Sequence, residues 1–325
     1  MPAIRDILAL SFIPRLGTTL LSRVLSQDAR ASASVSNLEE VIQLLNGISK
    51  RGNRAFDLSD EILRHCYDKA DKVLIDAAQR DLMVISILDD LYPRRLWSIP
   101  SPPPIIYVKG DAPCLHATVS IAIVGTRMPT GFGDRCAFRL GAVIGGAGAA
   151  VVSGLALGCD TAAHSGCITS GGKTVAVLAH GLDRIYPKQN ELLADEILKT
   201  RGCLFSEYRL FSPPLRSHFI DRDKLQVALS DAVIVVETDV TGGTMHTVRF
   251  CLEQGKLLAC IKHPSKYADQ PQTQGNQLLL RRGQALPIFD QASLNSFWER
   301  VRTASSNGMA TLPAKVAQLC FENGA

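Results

Sequence analysis

Three glycine-containing turns have the composition of loops that bind anions. Each follows an apolar segment and precedes a helix-like one, and together they contain Gly125, Arg127, Ser153, Gly154, Gly242, Gly243 and Thr244. Glycine lets backbone N–H groups approach a phosphate closely, and arginine binds phosphate through two parallel hydrogen bonds. The turns therefore predict a site for a phosphate-bearing ligand. For the first turn the alternative is a plain tight connection between a strand and a helix.

A fourth segment combines cations with an aromatic residue. It begins after Pro214 and contains Arg216, Phe219, Arg222 and Lys224. In proteins that bind single-stranded nucleic acid, cations contact the phosphates while an aromatic ring stacks on a base. The other interpretation places the ring in the core and the charges on a solvated helix face, and the residues alone favour neither.

Other chemistry has weaker support in the sequence. The first turn lacks the G-x-G-x-x-G pattern and no Walker lysine follows it, so NAD and ATP are not expected as cofactors. Asp160 and His164 are four residues apart, which favours a structural pair on one helix face, and no third metal ligand stands at a recognisable spacing. Cys159 and Cys167 are expected to be buried thiols. We therefore predict no catalytic residue, no cofactor and no metal.

The segments around these turns alternate between strands and helices from residue 116 to 290. Near-continuous apolar strands separated by helices predict a parallel sheet covered on both faces, that is, a doubly wound α/β domain. Ligands of such sheets bind where the strands end, so the glycine turns would share one edge. The predicted strands are 121–124, 149–153, 174–178, 204–206, 232–237 and 257–261.

The flanking regions have different patterns. Apolar residues recur at helical spacing within residues 1–75, which predicts a small helical domain. Residues 76–115 predict an extended, proline-rich connection with two short strands. Residues 291–325 form a polar tail that is too short for another full domain.

The composition is typical of a soluble protein from a reducing compartment. The 325 residues are 46% hydrophobic with a net charge of +4, which neither requires nor opposes a nucleic-acid ligand. Nine cysteines without a CxxC pair argue against a disulfide framework and a zinc ribbon. Residues 140–159 carry no charge, but their six glycines indicate a helix end, a turn and a strand rather than a membrane span. We expect a cytoplasmic protein that does not enter the membrane.

In their order and spacing, these motifs resemble the DprA/Smf family of DNA-processing proteins. The resemblance runs from about residue 4 to 290 and includes LALSFIPRLG, YPRRLWSIPSPPPIIYVKGD, IAIVGTRMPTGFG, VVSGLALGCDTAAHSGCI, VIVVETDVTGGTMHT and GNQLLLRRG. It implies a Rossmann-like domain behind a SAM-like helical domain. It further implies that the protein binds single-stranded DNA without sequence preference, forms a homodimer and helps to load the RecA recombinase, as in natural transformation. No catalytic step is implied.

The resemblance also assigns DNA contacts residue by residue. It covers every turn and cation named above and adds Lys256 of the sequence EQGK. The full set is Gly125, Arg127, Ser153, Gly154, Arg216, Phe219, Arg222, Lys224, Gly242, Gly243, Thr244 and Lys256. For the implied dimer, an apolar strand at 257–261 and a helix at 276–280, near the far edge of the sheet, are the predicted face.

Three departures from the family pattern leave a second function open. The family's Arg-Asn-Arg run reads Arg222-Asp223-Lys224, its Ser-Gly-Ser-like turn reads Thr-Gly-Gly-Thr, and the winged-helix tail is absent or reduced to a fragment. The alternative is a sensor of a nucleotide derivative or a phosphoribohydrolase-like protein on the same fold, in which Asp223 would recognise a ribose hydroxyl. Hydrolysis is disfavoured because Arg249 and Phe250 occupy the positions where phosphoribohydrolases need an acid.

Overall fold

One nine-stranded sheet forms the centre of the molecule. The computed structural model describes residues 3–30, 39, 41–43, 45, 56 and 59–304. The strands are β1 (Leu82–Ser86), β2 (Ile105–Gly110), β3 (Ser120–Val124), β4 (Ala150–Ser153), β5 (Thr174–Val177), β6 (Cys203–Ser206), β7 (Ala232–Val235), β8 (Leu257–Ile261) and β9 (Leu286–Ile288). Their order across the sheet is β1-β2-β6-β5-β4-β3-β7-β8-β9.

Helices cover both faces of this sheet. The α-helices are α1 (Ile4–Ser11), α2 (Thr18–Arg30), α3 (Asp60–Ala78), α4 (Gly131–Gly146), α5 (Cys159–Thr169), α6 (Glu191–Lys199), α7 (Arg216–Ala228), α8 (Thr244–Glu253), α9 (Pro271–Arg281) and α10 (Gln291–Ala304). Short 3₁₀ helices span Arg94–Ser98, Ala112–His116, Lys188–Asn190 and Ser265–Tyr267.

The strand order creates a switch point between β3 and β7. From β3 the chain proceeds through β4, β5 and β6 in one direction, then returns to β7 on the other side of β3 and continues through β8 to β9. The seven strands from β6 to β9 are parallel, whereas β1 and β2 add antiparallel pairs at one edge. The predicted doubly wound Rossmann-like sheet is confirmed. Ligands of such sheets bind beside the carboxyl ends of the strands at the switch point.

Alternate residues of each central strand pack into opposite layers. In β3, Ile121 and Ile123 join the core on the face of α4, α5 and α10, while Ala122 and Val124 join the core on the face of α6, α7 and α8. This period of two along a fully buried strand explains why the parallel strands read as continuous apolar runs.

The edges of the sheet differ from the sequence-based expectation. β1 and β2, predicted within a connection, both join the sheet. β9 is a strand that the sequence pattern does not predict, and it pairs with β8. The predicted dimer face lies near the far edge as expected, one strand in from β9, but much of it is used inside the chain. β8 is paired on both sides, and Ile261, Asn276 and Leu279 are buried.

Glycines bring α4 and α5 into close contact. A Cβ at Gly141 would lie 2.1 Å from the carbonyl oxygen of Ala163, so only a hydrogen fits there. The uncharged stretch 140–159 thus contains the end of α4, a turn and the buried strand β4, as predicted. Within the described part of the chain, no helix has both the length and the apolar character to cross a membrane.

Both termini of the described chain contribute to the core. Ile7, Leu8 and Leu21 of the N-terminal helices are fully buried. At the other end, α10 buries Phe297 and Trp298 in the layer that also contains α4. The predicted tail therefore begins with a core helix, and its remainder, 305–325, with the expected lack of a winged helix, lies outside the described residues.

Replacement of Gly141 by alanine should weaken the fold. The new methyl group would force α4 away from α5, an overpacking that costs about 1–3 kcal/mol of unfolding free energy. The control is Gly146→Ala on the same helix, where a Cβ meets the Cβ of Ser170 at an ordinary 3.7 Å. Urea unfolding should show a lower unfolding free energy for Gly141→Ala and an unchanged one for Gly146→Ala. Equal stabilities of the two variants would contradict this packing.

Candidate nucleic-acid interface

The Glu237 carboxylate holds together the two loops of the switch point. Glu237 follows β7 and is completely buried. Its backbone oxygen accepts a hydrogen bond from Thr126 N (2.8 Å), and its carboxylate accepts from Thr130 N (2.7 Å) and Thr130 Oγ1 (2.6 Å). The loop that carries Arg127 from β3 to α4 is therefore attached to the end of β7 at both of its ends.

The same carboxylate occupies the N-terminus of α4. This is where a Rossmann-type domain normally holds a phosphate, because free N–H groups and the helix dipole favour an anion. Here Glu237 supplies the anion, and His263 Nε2 lies 3.2 Å from its Oε1. The predicted phosphate cradle in the first turn is therefore wrong at the helix terminus. Gly125 packs against Cys159, where a Cβ would lie 2.5 Å from Sγ.

Arg127 and Phe219 form a cation–aromatic pair beside this loop. Arg127 is exposed, and its Cζ lies 5.4 Å from the ring centroid of Phe219 on α7. Phe219 is half-buried, so it is not the core residue that one interpretation predicted. Arg216 is exposed one turn earlier on α7, and residues three apart share one helix face. Arg127 and Phe219 thus meet at the carboxyl edge of the sheet, and Arg216 lies on the same helix as Phe219, three residues earlier.

Arg222 points inward rather than toward solvent. It is 5% exposed, Nη1 donates to Val177 O (3.1 Å), and Nε forms an ion pair with Asp223 Oδ1 at 3.2 Å without hydrogen-bond geometry. A Cβ at Gly154 would lie 1.4 Å from Nη1, so Gly154 makes room for Arg222 and not for a phosphate. Ser153 is buried, and its Oγ donates to Ile123 O (2.7 Å). These three predicted contact residues belong to the layer beneath the surface.

Two carboxyl groups surround the Arg222 guanidinium. Asp160 Oδ2 accepts from Gly154 N (3.1 Å) and Ala156 N (3.3 Å), and burial raises the pKa of Asp160 against the opposing effect of Arg222. Burial likewise raises the pKa of Asp223 to about 6, again opposed by Arg222. Arg222 is therefore already neutralised inside the protein. The acid that departs from the family pattern faces this arginine, and the nearby Arg127 also opposes the rise of its pKa.

The predicted Asp160–His164 pair is wrong. His164 Nδ1 lies 2.6 Å from Thr174 Oγ1, and burial lowers the pKa of His164 to about 3. Cys159 and Cys167 are buried free thiols, as predicted, and burial raises the pKa of both. Among the described residues, no three His, Cys, Asp or Glu side chains cluster as metal ligands.

The third glycine turn leads into a helix N-terminus that faces outward. α8 begins at Thr244 as predicted, and Gly243 is exposed, so that a Cβ there would meet no atom within 4 Å. Gly242 is half-buried against Thr238. In the described part of the chain, the backbone N–H groups of Gly243 and Thr244 have no hydrogen-bond acceptor. Unlike the N-terminus of α4, this one is available to an anion.

Comparison with known proteins decides the family. A family model described as DNA recombination-mediator protein A matches residues 83–299. This chain belongs to the DprA family. DNA processing protein DprA of Bacillus subtilis is 33% identical over 249 residues, which are 77% of this chain and 82% of that protein. Protein Smf of Synechocystis is 41% identical over 221 residues, and the match spans 54% of that protein's length.

Solved DprA structures share the fold. DNA processing protein A of Streptococcus pneumoniae has a TM-score of 0.72 at 26% identity, with 90% of this chain and 97% of that one covered. The Helicobacter pylori protein, for which a single-stranded DNA binding mode is described, has a TM-score of 0.60 at 28% identity, with 68% of this chain and 96% of that one covered. The resemblance to DprA/Smf proteins is thus confirmed.

In this DprA-family chain, Lys224 lies apart from Arg127, Phe219 and Arg216. Two residues apart on a helix, Arg222 and Lys224 point roughly 200° away from each other. Lys224 lines a separate cavity of about 290 Å³, together with Glu207, Arg209 and Asp221. Burial and the neighbouring Asp221 raise the pKa of Glu207 to about 7. Two cations and two acids meet there, so the cavity has no clear preference for a phosphate.

Lys256 lies at the opposite edge of the sheet. It precedes β8, whose amino end is remote from the switch-point loops. Its Nζ donates to Val227 O (2.7 Å) and Ala228 O (2.9 Å) at the end of α7, and also to Ser230 O. The DNA contact predicted for Lys256 is therefore wrong, because the ammonium group caps a helix.

Glu237 and His263 are site residues that the sequence pattern does not single out. The pattern makes Glu237 the last residue of an apolar strand, whereas the structure ends that strand at Val235. The available signal is an acid at the end of an apolar strand beside a glycine turn, which is where a Rossmann-type sheet holds its ligand.

Replacement of Lys256 by methionine should affect stability and not binding. The aliphatic stem stays, but the carbonyl groups at the end of α7 lose a charged donor, which costs about 1.5–3 kcal/mol. Urea unfolding should show this loss, while affinity for single-stranded DNA and its salt dependence stay as in the wild type. If the folded variant binds DNA more weakly than the wild type, Lys256 is part of the interface and this assignment is wrong.

Replacement of Asp223 by asparagine should change the pH dependence of stability. The folded-state pKa of about 6 exceeds the ordinary 3.8, so the wild type loses stability as pH rises between these values. The variant lacks this loss. Its free energy of unfolding should equal that of the wild type near pH 3.8 and exceed it by up to about 3 kcal/mol at neutral pH. Urea unfolding across this range tests the claim, and parallel pH profiles would contradict it.

Proposed function

We propose that this protein binds single-stranded DNA without sequence preference and acts as a recombination mediator. The observation that carries the proposal is the pair formed by the exposed Arg127 and the half-buried Phe219 at the switch-point edge, with Cζ 5.4 Å from the ring centroid. A guanidinium contacts phosphates of any sequence, and a ring stacks on any base. The outward N-terminus of α8 offers a second contact for the backbone.

The contacting residues form a smaller set than the sequence suggested. We propose that Arg127, Arg216 and Phe219 touch the strand through their side chains. Backbone groups of Gly125, Gly242, Gly243 and Thr244 complete this surface. Ser153, Gly154 and Arg222 act beneath it by fixing the shape of α7 and of the loop after β4.

A nucleotide sensor or phosphoribohydrolase is less well supported. A mononucleotide on this fold relies on the N-terminus of the first helix for its phosphates, and Glu237 fills that position. Asp223 faces Arg222, so it is not placed to recognise a ribose. On α8, Arg249 lies 3.6 Å from Glu253, and no acid takes the position that hydrolysis needs.

The wider role follows the family. We propose that the protein loads the RecA recombinase onto single-stranded DNA in the cytoplasm, as in natural transformation, that it works as a homodimer and that it catalyses no reaction. The description of the family as a recombination mediator supports this. The proposed units are a helical SAM-like domain (1–75), a connection (76–115), a DNA-binding domain (116–290) and a tail (291–325).

Replacement of Arg127 by alanine should weaken binding to single-stranded DNA. Loss of one charge-assisted contact costs about 1.5–3 kcal/mol, which is roughly tenfold or more in affinity. The slope of log K against log salt should fall by about 0.7, the value for one phosphate of a single strand. Fluorescence anisotropy across a salt series measures both.

The matched control is Arg64→Ala, which removes an exposed arginine from α3. It should leave both the affinity and the slope unchanged. If Arg127→Ala melts normally and binds like this control, Arg127 is not part of the interface and the proposed site is wrong.

A further inference from the structure

The loop after β5 carries exposed cations on both sides of an exposed ring. Along it the side chains alternate: Arg184, Tyr186 and Lys188 are exposed, whereas Ile185 and Pro187 are half-buried. Tyr186 is 45% exposed. An alternation of cation, aromatic and cation is the pattern that tracks a single nucleic-acid strand, with phosphates on the charges and a base on the ring.

Tyr186 lies next to the proposed interface. Its ring centroid is 5.9 Å from that of Phe219, with the planes tilted by 57°. On its other side it contacts the buried His180, at 6.5 Å and edge-on. Because the rings of Tyr186 and Phe219 are tilted and not stacked, neither covers the face of the other. The guanidinium groups of Arg127 and Arg222 lie over the Phe219 ring, at 5.4 and 5.9 Å from its centroid. Tyr186 is therefore the ring of this pair that is better placed to receive a further base.

Buried polar side chains fix the loop at both ends. Asp183 accepts hydrogen bonds from Phe211 N (2.6 Å) and Arg184 Nε (2.9 Å). Asn190 is 4% exposed and donates to Leu155 O (2.8 Å) and to Thr161 Oγ1 (2.9 Å). A ring on a loop held in this way loses little conformational entropy when a ligand binds.

We propose that Tyr186 is a second base-stacking residue and that Lys188 and Arg184 contact the flanking phosphates. The inference rests on the proposed function and extends it. The strand would run from the switch point between β3 and β7 along the carboxyl edge to β5, two strands and roughly 10 Å further. Arg184 contributes less than Lys188, because Asp183 neutralises part of its charge.

The test compares an oligomer of deoxythymidine of ~20 nucleotides, long enough for several contacts, with an abasic oligomer of the same backbone. The variants are Tyr186→Leu, which keeps apolar packing on His180, and Tyr186→Phe, which keeps the ring. Phe289→Leu is the matched control, since Phe289 is 44% exposed beside Lys262 (5.3 Å) but lies after β9, five strands from β5.

Tyr186→Leu should bind the deoxythymidine oligomer roughly tenfold more weakly than the wild type. Tyr186→Phe and Phe289→Leu should bind it normally, and the abasic oligomer should not distinguish any of these proteins. The salt slope of Tyr186→Leu should be unchanged, whereas Lys188→Ala should lower the slope by about 0.7.

Two results would overturn the inference while the proposed function stands. One is normal binding of deoxythymidine by Tyr186→Leu when Arg127→Ala is impaired. The other is an equal loss on both oligomers, which would mean that the ring supports the fold. Failure of the wild type to bind either oligomer would instead overturn the proposed function and the inference together.

A second measurement does not depend on a folded variant. The wild type is irradiated with an oligomer that carries 5-iododeoxyuridine, and the crosslinked peptides are identified by mass spectrometry. Crosslinks at Tyr186 support the inference. Crosslinks confined to Phe219 contradict it.

Discussion

The buried carboxylate of Glu237 is the constraint on which the ligand-facing edge depends. It sits at the switch point, accepts two hydrogen bonds from Thr130 and fixes the loop that presents Arg127. A buried carboxylate is costly unless its oxygens are hydrogen-bonded, and the N-terminus of α4 provides those bonds. The arrangement stabilises the loop and removes the place where this fold usually binds a single phosphate group. A ligand must therefore use the groups around the N-terminus of α4 and not the terminus itself.

Around the N-terminus of α4 lies an open surface on which cations and aromatic rings are separated from one another. Arg222 is neutralised by Asp223 and Asp160 beneath it, and the exposed cations that we assign to this surface are Arg127, Arg216 and those of the loop after β5. Phe219 and Tyr186 lie among these charges. Such a surface suits a flexible polymer whose phosphates and bases repeat, and this is why we propose binding that tolerates any sequence.

The sequence predicts the backbone well and the side-chain destinations poorly. Strand runs such as 121–124 are apolar because both faces are covered, and this pattern is visible without a structure. The glycine turns are placed correctly for the same reason. By contrast, Arg222, Lys224 and Lys256 have similar chemistry yet lie under the surface, in a separate cavity and at the opposite edge. The direction of a long cationic side chain depends on its position around the helix and on the acids or carbonyl groups that it meets in the folded protein. Residue type alone reveals neither of these. The role of Glu237 is not predicted because it depends on a tertiary contact, in which the carboxylate binds the N-terminus of α4.

The central claim is that this edge binds a chain of nucleotides and not a single one. Titration of the wild type with deoxythymidine oligomers of increasing length, a mononucleotide and a duplex tests it most directly. We expect affinity that rises with length, a preference for single strands, and a linear fall of log K with log salt at about 0.7 per phosphate contacted. Binding of the mononucleotide as tightly as the longest oligomer would contradict the claim.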